Sequence, residues 1–264
     1  MTVLIRGAGD LASGIALRLR RAGFDVAMTE LAQPTTIRRT VAFSDAMTQG
    51  EQTVEGFTAL RAETWEEACL YLEQGYIPVL NDPDCACRAF LKPDALVDAI
   101  LAKRNLGTAI TDAPIVVGVG PGFTAGVDCH AVVETMRGHT LGRVYYEGSA
   151  LPNTNIPGLI GGFAGERVLR APADGAFEST RRIGERVEAG DTVGFVAGQP
   201  MKATISGVLR GLLADGVPVK KGMKSGDVDP RGEAGYCALA SDKALAIGGG
   251  VLEAILHFSA DRAE

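Results

Sequence analysis

Residues Val3 to Leu19, reading Val-Leu-Ile-Arg-Gly-Ala-Gly-Asp-Leu-Ala-Ser-Gly-Ile-Ala-Leu-Arg-Leu, constrain the fold of this chain more than any other stretch. A short apolar run breaks into glycines and then takes up helical spacing, with Leu11, Ile15, Leu17 and Leu19 apolar and Arg18, Arg20 and Arg21 polar. The pattern predicts strand, tight turn and helix, the way a dinucleotide-binding fold begins. Gly7 would make the turn, Gly9 would let a phosphate approach the backbone, and Ala12 stands where a third glycine allows close packing of helix on strand. The free N–H groups of the first helical turn, from Asp10 onward, would face an anion. A second strand, Phe24 to Thr29, ends at Glu30, near the spacing expected of a carboxylate that accepts from a ribose hydroxyl.

Alternation continues to about residue 120. Pro34 to Arg39 is a helix start, Thr53 to Leu60 a third strand, and Thr64 to Gln74 a helix in which Thr64 and Glu67 make a capping box. Ile77 to Leu80 is a fourth strand, Lys92 to Lys103 an amphipathic helix, and Ile115 to Val119 a fifth strand. The expected fold class is α/β, with a Rossmann-like parallel sheet domain over 1–120. In the order 3-2-1-4-5 the loops after strands one, four and five lie side by side, where such sheets bind ligands. Those loops carry Gly7 to Asp10, then Asn81 to Arg88 with Cys85 and Cys87, then Gly118 to His130 with Gly120, Gly122, Asp128 and Cys129. Gly120 and Gly122 make a second amide-rich loop able to cradle an anion.

Five cysteines, odd in number and widely spaced, read as thiols of a reducing compartment. Cys85 and Cys87 sit two apart on a turn with Arg88 close by, a setting that lowers a thiol's pKa. They are the candidate catalytic residues together with Asp128, His130 and Glu134, which suit acid–base work. A closed soft-metal site needs about four ligands, and no metal site is assigned. Cys129 and His130 either complete a set with Cys85 and Cys87 or are a buried thiol beside a hydrogen-bonded imidazole.

The formal charge of -6 with 26 Lys+Arg argues against a nucleic-acid partner. No run of 18 apolar residues is present and the opening reads as strand, so a cytoplasmic protein without a membrane association is expected.

Residues 121–165 read as a β-hairpin turning at Gly138, followed by an ordered loop rich in glycine and proline that is long enough to be a lid. Residues 166–231 contain a repeat. Ala171, Gly175, Gly184, Val187 and Gly190 recur as Ala203, Gly207, Gly216, Val219 and Gly222, each 32 residues on. Short β segments with glycine turns cannot bury a face alone and should pair with their copy. The repeat resembles the barrel-sandwich hybrid of lipoyl and biotinyl domains, although Lys202 lies too near Gly207 to be a carrier lysine. Residues 232–264 hold a final helix capped by Ser241, whose glycines at 248, 249 and 250 imply close packing.

The opening Gly-Ala-Gly-Asp-Leu-Ala-Ser-Gly-Ile-Ala, the central Val-Gly-Pro-Gly-Phe-x-Ala-Gly-x-Asp-x-His with Glu-Thr-Met-Arg-Gly-His-x-Leu-Gly-Arg-Val, and the Gly-Asp-Val-Asp-Pro-Arg loop resemble the YqeB family. The resemblance implies an accessory factor maturing a selenium-dependent molybdenum hydroxylase. Its partners would be that client enzyme or other cofactor-maturation proteins, and it could form a homo-oligomer. A molybdopterin dinucleotide would place its diphosphate on Gly7 to Ala12, its ribose at Glu30 and its reactive end toward Cys85, Cys87, Asp128 and His130. Two alternatives stand beside it: an NAD(P)-dependent oxidoreductase, with Arg38 and Arg39 leaving NAD against NADP open, and a non-catalytic docking scaffold.

Overall fold

Val3, Leu4 and Ile5, apolar in succession, suit a strand covered on both faces, and all three are fully buried in the computed structural model, which describes residues 1–154 and 157–260. This strand, β1 (Thr2–Arg6), turns at Gly7 into α1 (Asp10–Arg21), and β2 (Asp25–Glu30) returns parallel to β1. After a single turn of helix, α2 (Ala46–Gln49), the expected third strand is a hairpin. β3 (Glu51–Val54) and β4 (Phe57–Ala62) pair antiparallel around Glu55 and Gly56, which both take positive φ. The helix α3 (Trp65–Glu73) follows, with the Thr64 hydroxyl accepting from the Glu67 amide and the Glu67 carboxylate accepting from the Glu63 amide. Then come β5 (Ile77–Asn81), the one-turn α4 (Arg88–Leu91), β6 (Ala95–Asp98), β7 (Ile115–Val119), β8 (Ala131–Val133) and β9 (Val144–Tyr145).

These nine strands form one sheet in the order β3-β4-β5-β2-β1-β6-β7-β8-β9. It is mixed, which corrects the expected parallel Rossmann-like sheet: β3 runs against β4, and β9 against β8. β5, expected beyond β1, lies between β4 and β2. The expected helix over Lys92 to Lys103 is also corrected. Lys92 takes a left-handed conformation before Pro93 and ends α4, because a residue before proline is excluded from continuing a helix. Ala95–Asp98, buried at every position, then becomes the strand between β1 and β7.

Chain contacts divide the molecule into two units. The first comprises Met1–Ala32, Ala42–Asn153 and the stretch from Ala240 to the last described residue; the second comprises Gln33–Val41 and Thr154–Leu239. In place of the helix expected from Pro34, Gln33–Val41 holds only a 3-10 turn at Arg39–Val41, and the Ile37 carbonyl accepts from the Leu212 amide of its own unit.

The second unit contains β10 (Val168–Arg170), β11 (Gly175–Ser179), β12 (Arg186–Val187), β13 (Thr192–Val196), β14 (Gln199–Lys202), β15 (Gly207–Leu212), β16 (Pro218–Val219) and β17 (Lys224–Asp229). They build two antiparallel sheets, β10-β17-β15-β12 and β14-β13-β11-β16. The repeat is visible in the pairing. β11 pairs with β13 and β16, while its copy β15 pairs with β17 and β12, so each half lends a strand to the other's sheet. The two four-stranded sheets correct the expected lipoyl-like barrel-sandwich hybrid, since among the described residues no ladder joins the outer strands of one sheet to those of the other. Phe177, Leu209 and Val228 lie in the core of this unit.

Of the loop expected over 148–165, Asn155 and Ile156 lie outside the described residues. The last helix, α5 (Asp242–Ala260), belongs to the first unit and is capped by the Ser241 hydroxyl, which accepts from the Ala244 amide at 3.1 Å. Among the described residues no helix is long and apolar enough to cross a membrane.

Candidate functional site

Side chains alternate across a strand, so Arg6, Thr29 and Asp98 share the face of Leu4, Ala27 and Leu96. That face holds a core containing Leu4, Ala27, Leu96, Cys85 and Cys87. Arg6 and Asp98 are register partners on neighbouring strands, both at the carboxyl ends where the loops gather. The Arg6 guanidinium is buried. Its Nη1 donates to Asp98 Oδ2 at 3.3 Å and to Thr108 Oγ1 at 3.0 Å, while its Nε donates to the Pro83 carbonyl at 3.0 Å. Thr108 in turn donates to Asp98 at 2.6 Å. A buried cation with a buried carboxylate is tolerable only when such hydrogen bonds satisfy the rest of both groups.

Through Pro83, Arg6 pins the turn that carries the cysteines. Asp82 organises this turn from its other end, its carbonyl accepting from the Cys85 amide and its carboxylate from the Cys87 amide at 2.7 Å. Cys85 adopts φ +57, a left-handed conformation uncommon outside glycine and typical of strained functional positions. Both thiols are buried, Cys85 at 2% exposure. The Thr29 hydroxyl donates to the Cys85 sulfur at 4.0 Å. The neighbouring Cys87 thiol foremost, with the Thr29 hydroxyl and the Arg6 charge, holds the Cys85 thiol below its ordinary range against the effect of burial. The Cys85 sulfur beside it, with burial, pushes Cys87 far up. Cys85 is therefore the more acidic thiol of the pair.

The other expected site residues are dispersed. Asp128 accepts from the Thr124 amide at 2.8 Å and from Asn105 Nδ2 at 3.3 Å, and Asn105 also donates to the Thr108 carbonyl. Asp128 thus braces the Arg6 network from outside. Cys129 is buried, which pushes its thiol up to about 11. His130 is at the amino ends of β7 and β8, the edge away from the cysteines. Its Nδ1 accepts from the Val116 amide at 2.9 Å, and its own amide donates to the Val116 carbonyl. Glu134 is fully buried and accepts from the amides of Thr135, Met136 and Leu151 at 2.7, 2.7 and 2.8 Å, a backbone clamp in place of the acid–base role expected of it. Among the described residues no three His, Cys, Asp or Glu side chains come together to hold a metal ion, so Cys129 and His130 do not complete a set with Cys85 and Cys87.

The glycine turn does not fit a dinucleotide. Gly7, at φ +98, spends its amide on the Thr29 carbonyl at 2.8 Å. The Ala8 amide is taken by Glu30 Oε2 at 2.9 Å, while Glu30 Oε1 accepts from Leu31, so the carboxylate expected on a ribose closes the turn instead. The Gly9 carbonyl accepts from Ser13 to begin α1, with Asp10 in its first turn and Ala12 buried. In the second loop the Gly120 amide donates to the Val133 carbonyl, and Gly122, at φ +112, lies so close under the Arg104 backbone that a Cβ would stand 2.5 Å from its Cα. Arg38 donates to the carbonyls of Tyr236 and Leu239 within the second unit. Arg6, Thr29, Asp98 and Thr108 are the site residues that sequence reasoning missed. An arginine closing an otherwise apolar strand was the one signal available.

Fold and site together define a mixed-sheet α/β protein with a buried cysteine pair at the carboxyl edge of its strands. The chain is 54% identical over 254 residues to the uncharacterized protein YqeB of Escherichia coli (strain K12), an alignment covering 96% of this chain and 47% of that protein. The YqeB resemblance is thereby supported, and the chain spans about half the length of the curated relative it matches. No family model matches. Similar solved structures include an aspartoacylase family protein from Mesorhizobium loti, at 10% identity, 86% of this chain, 84% of that chain and a TM-score of 0.26. A succinylglutamate desuccinylase from Silicibacter sp. aligns at 13% identity over 86% and 84% with a TM-score of 0.26. With the Gly7 turn closed by Glu30, the expected roles in selenium and molybdenum cofactor maturation, in NAD(P) redox chemistry and as a docking scaffold are set aside.

Proposed function

We propose that the first unit is a thiol–disulfide exchange module in which Cys85 is the attacking thiolate and Cys87 the resolving thiol. What supports this reading is the placement of both thiols, buried, on one turn that Asp82 and Arg6 pin, with Cys85 the more acidic of the two. Cys85 attacks one sulfur of a low-molecular-weight disulfide, forming a mixed disulfide and expelling the other half as a thiolate, which takes up a proton. Loss of the Cys85 charge releases the Cys87 proton. Cys87 then attacks Cys85, giving the Cys85–Cys87 disulfide and the second substrate thiol. The substrate is reduced by two electrons, the protein is oxidised by two, and a small dithiol returns it to the start. Arg6 holds the turn through Pro83 and favours the anionic sulfur throughout.

The test is the pH dependence of iodoacetamide labelling at each cysteine, read by peptide mass mapping. Cys85 should label with a midpoint below the ordinary thiol value of about 8.5, and Cys87→Ala should raise that midpoint. With hydroxyethyl disulfide, Cys87→Ser should accumulate a mixed disulfide on Cys85, visible by intact mass, and Cys85→Ser should form none. An ordinary Cys85 midpoint in the unmodified protein, or a mixed disulfide on another cysteine, would overturn the reading.

A further inference from the structure

Three neighbouring strands of the first unit's sheet, in the order β4-β5-β2, are each followed at the carboxyl end by a large apolar side chain left in water. These are Trp65, Phe90 and Leu31, exposed to 40%, 61% and 45%. Trp65 opens α3, Phe90 lies in α4, and their rings stack nearly parallel, with 5.5 Å between centroids and 10° between planes. The stack stands on the turn that carries the thiols, since the Phe90 amide donates to the Cys87 carbonyl at 3.0 Å. Burying a ring is among the largest apolar gains a side chain offers; single exposed apolar residues are ordinary, whereas contiguous ones mark a contact surface. The segments bearing the stack are acidic. Residues 63–67 and 82–92 hold Glu63, Glu66, Glu67, Asp82 and Asp84 against Arg88 and Lys92. Glu63 is paired with Arg61 and Arg88 with Asp112, while Glu67 and Asp82 accept from backbone amides. Glu66 and Asp84 face water, the Asp84 side chain 94% exposed although it reaches to 4.0 Å from Arg6.

We infer that Trp65 and Phe90, with Glu66 and Asp84, form a docking surface for a short peptide in which an aromatic residue is flanked by lysine or arginine. An aromatic side chain extends the stack in the offset or edge-on arrangements that rings prefer, and a cation beside it gains from the carboxylates and from the ring faces together. Resting on the thiol reading, the surface also specifies the disulfide exchanged at Cys85. It is one carried by such a peptide, whose ring on the stack brings its sulfurs to the turn that Phe90 shares with Cys87.

Trp65 is the one tryptophan of the chain, so its emission reports on this surface directly. The whole chain is titrated with three end-blocked, cysteine-free peptides, Lys-Phe-Ser-Lys, Lys-Ala-Ser-Lys and Glu-Phe-Ser-Glu. The first should shift the emission saturably to the blue with a Kd on the order of 1 mM, and the other two should bind about tenfold more weakly. Phe90→Ala should weaken the first peptide about tenfold, and Glu66→Gln combined with Asp84→Asn about threefold. Leu256→Ala, an exposed change on α5, should leave its Kd unaltered. In a Cys87→Ser background, Phe90→Ala should also lower the preference of Cys85 for the symmetrical disulfide of Lys-Phe-Cys-Lys over hydroxyethyl disulfide. Absence of a saturable shift, equal affinity for the three peptides, or an unaltered Kd in Phe90→Ala overturns the inference. An ordinary Cys85 labelling midpoint with peptide binding intact overturns the thiol reading alone.

Discussion

Ala244 lies against Gly14 so closely that a Cβ placed on Gly14 would stand 2.5 Å from the Ala244 Cβ and 2.9 Å from its carbonyl carbon. The contact explains why α1 and α5 both carry glycine in their interiors, where each costs about 1 kcal/mol relative to alanine. A Cβ on Gly248 would stand 2.8 Å from the Gly14 carbonyl oxygen and one on Gly250 would collide with the Gly142 carbonyl, whereas one on Gly249 would meet nothing within 4 Å.

Gly14→Ala should therefore destabilise the protein by about 1 to 3 kcal/mol, the usual cost of overpacking. Gly249→Ala should stabilise it by about 0.5 to 1 kcal/mol, because open space and helical backbone leave only the gain in propensity. Urea unfolding of both variants gives opposite shifts in midpoint if packing is the reason for these glycines.

Glu134→Gln exchanges one acceptor oxygen for an NH2 that faces backbone N–H groups, and removes the charge that three amides share. A loss of about 2 to 4 kcal/mol is expected. If Glu134 is a clamp, Cys85 labelling under native conditions stays unchanged in this variant; slower labelling would mark it as part of the thiol site.

Cys129 sets an alkaline limit. Burial raises its thiol to about 11 in the folded chain, above the value of the unfolded chain, so the neutral form is the one the fold accommodates. Its contribution is fully present below about pH 8.5 and is lost as pH rises toward 11, by on the order of 2 to 3 kcal/mol. The Tm difference between the unmodified protein and Cys129→Ala, compared at pH 8 and pH 10.5, should shift toward the variant at the higher pH.

Thr29→Val removes one donor to Cys85 while keeping a branched strand residue. The Cys85 labelling midpoint should rise, and by less than in Cys87→Ala, because the Cys87 thiol has the larger effect on Cys85. A larger shift for Thr29→Val would reverse that ranking.

Much of this architecture is legible where a local rule acts alone. The break at Gly7, the Thr64 cap and the Ser241 cap mark element ends that the structure reproduces, while Glu67 reaches the Glu63 amide and not that of Thr64. The spacing of 32 residues announces two copies, although it cannot say that each copy lends a strand to the other. Leu96, Val97, Ile100 and Leu101 satisfy a helical period and a buried strand equally well, and only the sheet's need for a neighbour to β1 decides. That misreading also hid Asp98, and with it Arg6, since a charge in an apolar strand is intelligible only beside its partner. Glu30 has the spacing of a ribose ligand, but nothing in the sequence tells that it turns back onto Ala8.

Because Gln33–Val41 is claimed by the second unit and α5 by the first, neither can be completed in the order in which the ribosome delivers it. The β-rich unit waits for residues near Leu239 to join a segment made long before, and the stripe of α1 around Gly14 stays bare until the last helix emerges. A nascent polypeptide halted before Ala240 would leave that apolar stripe open to water.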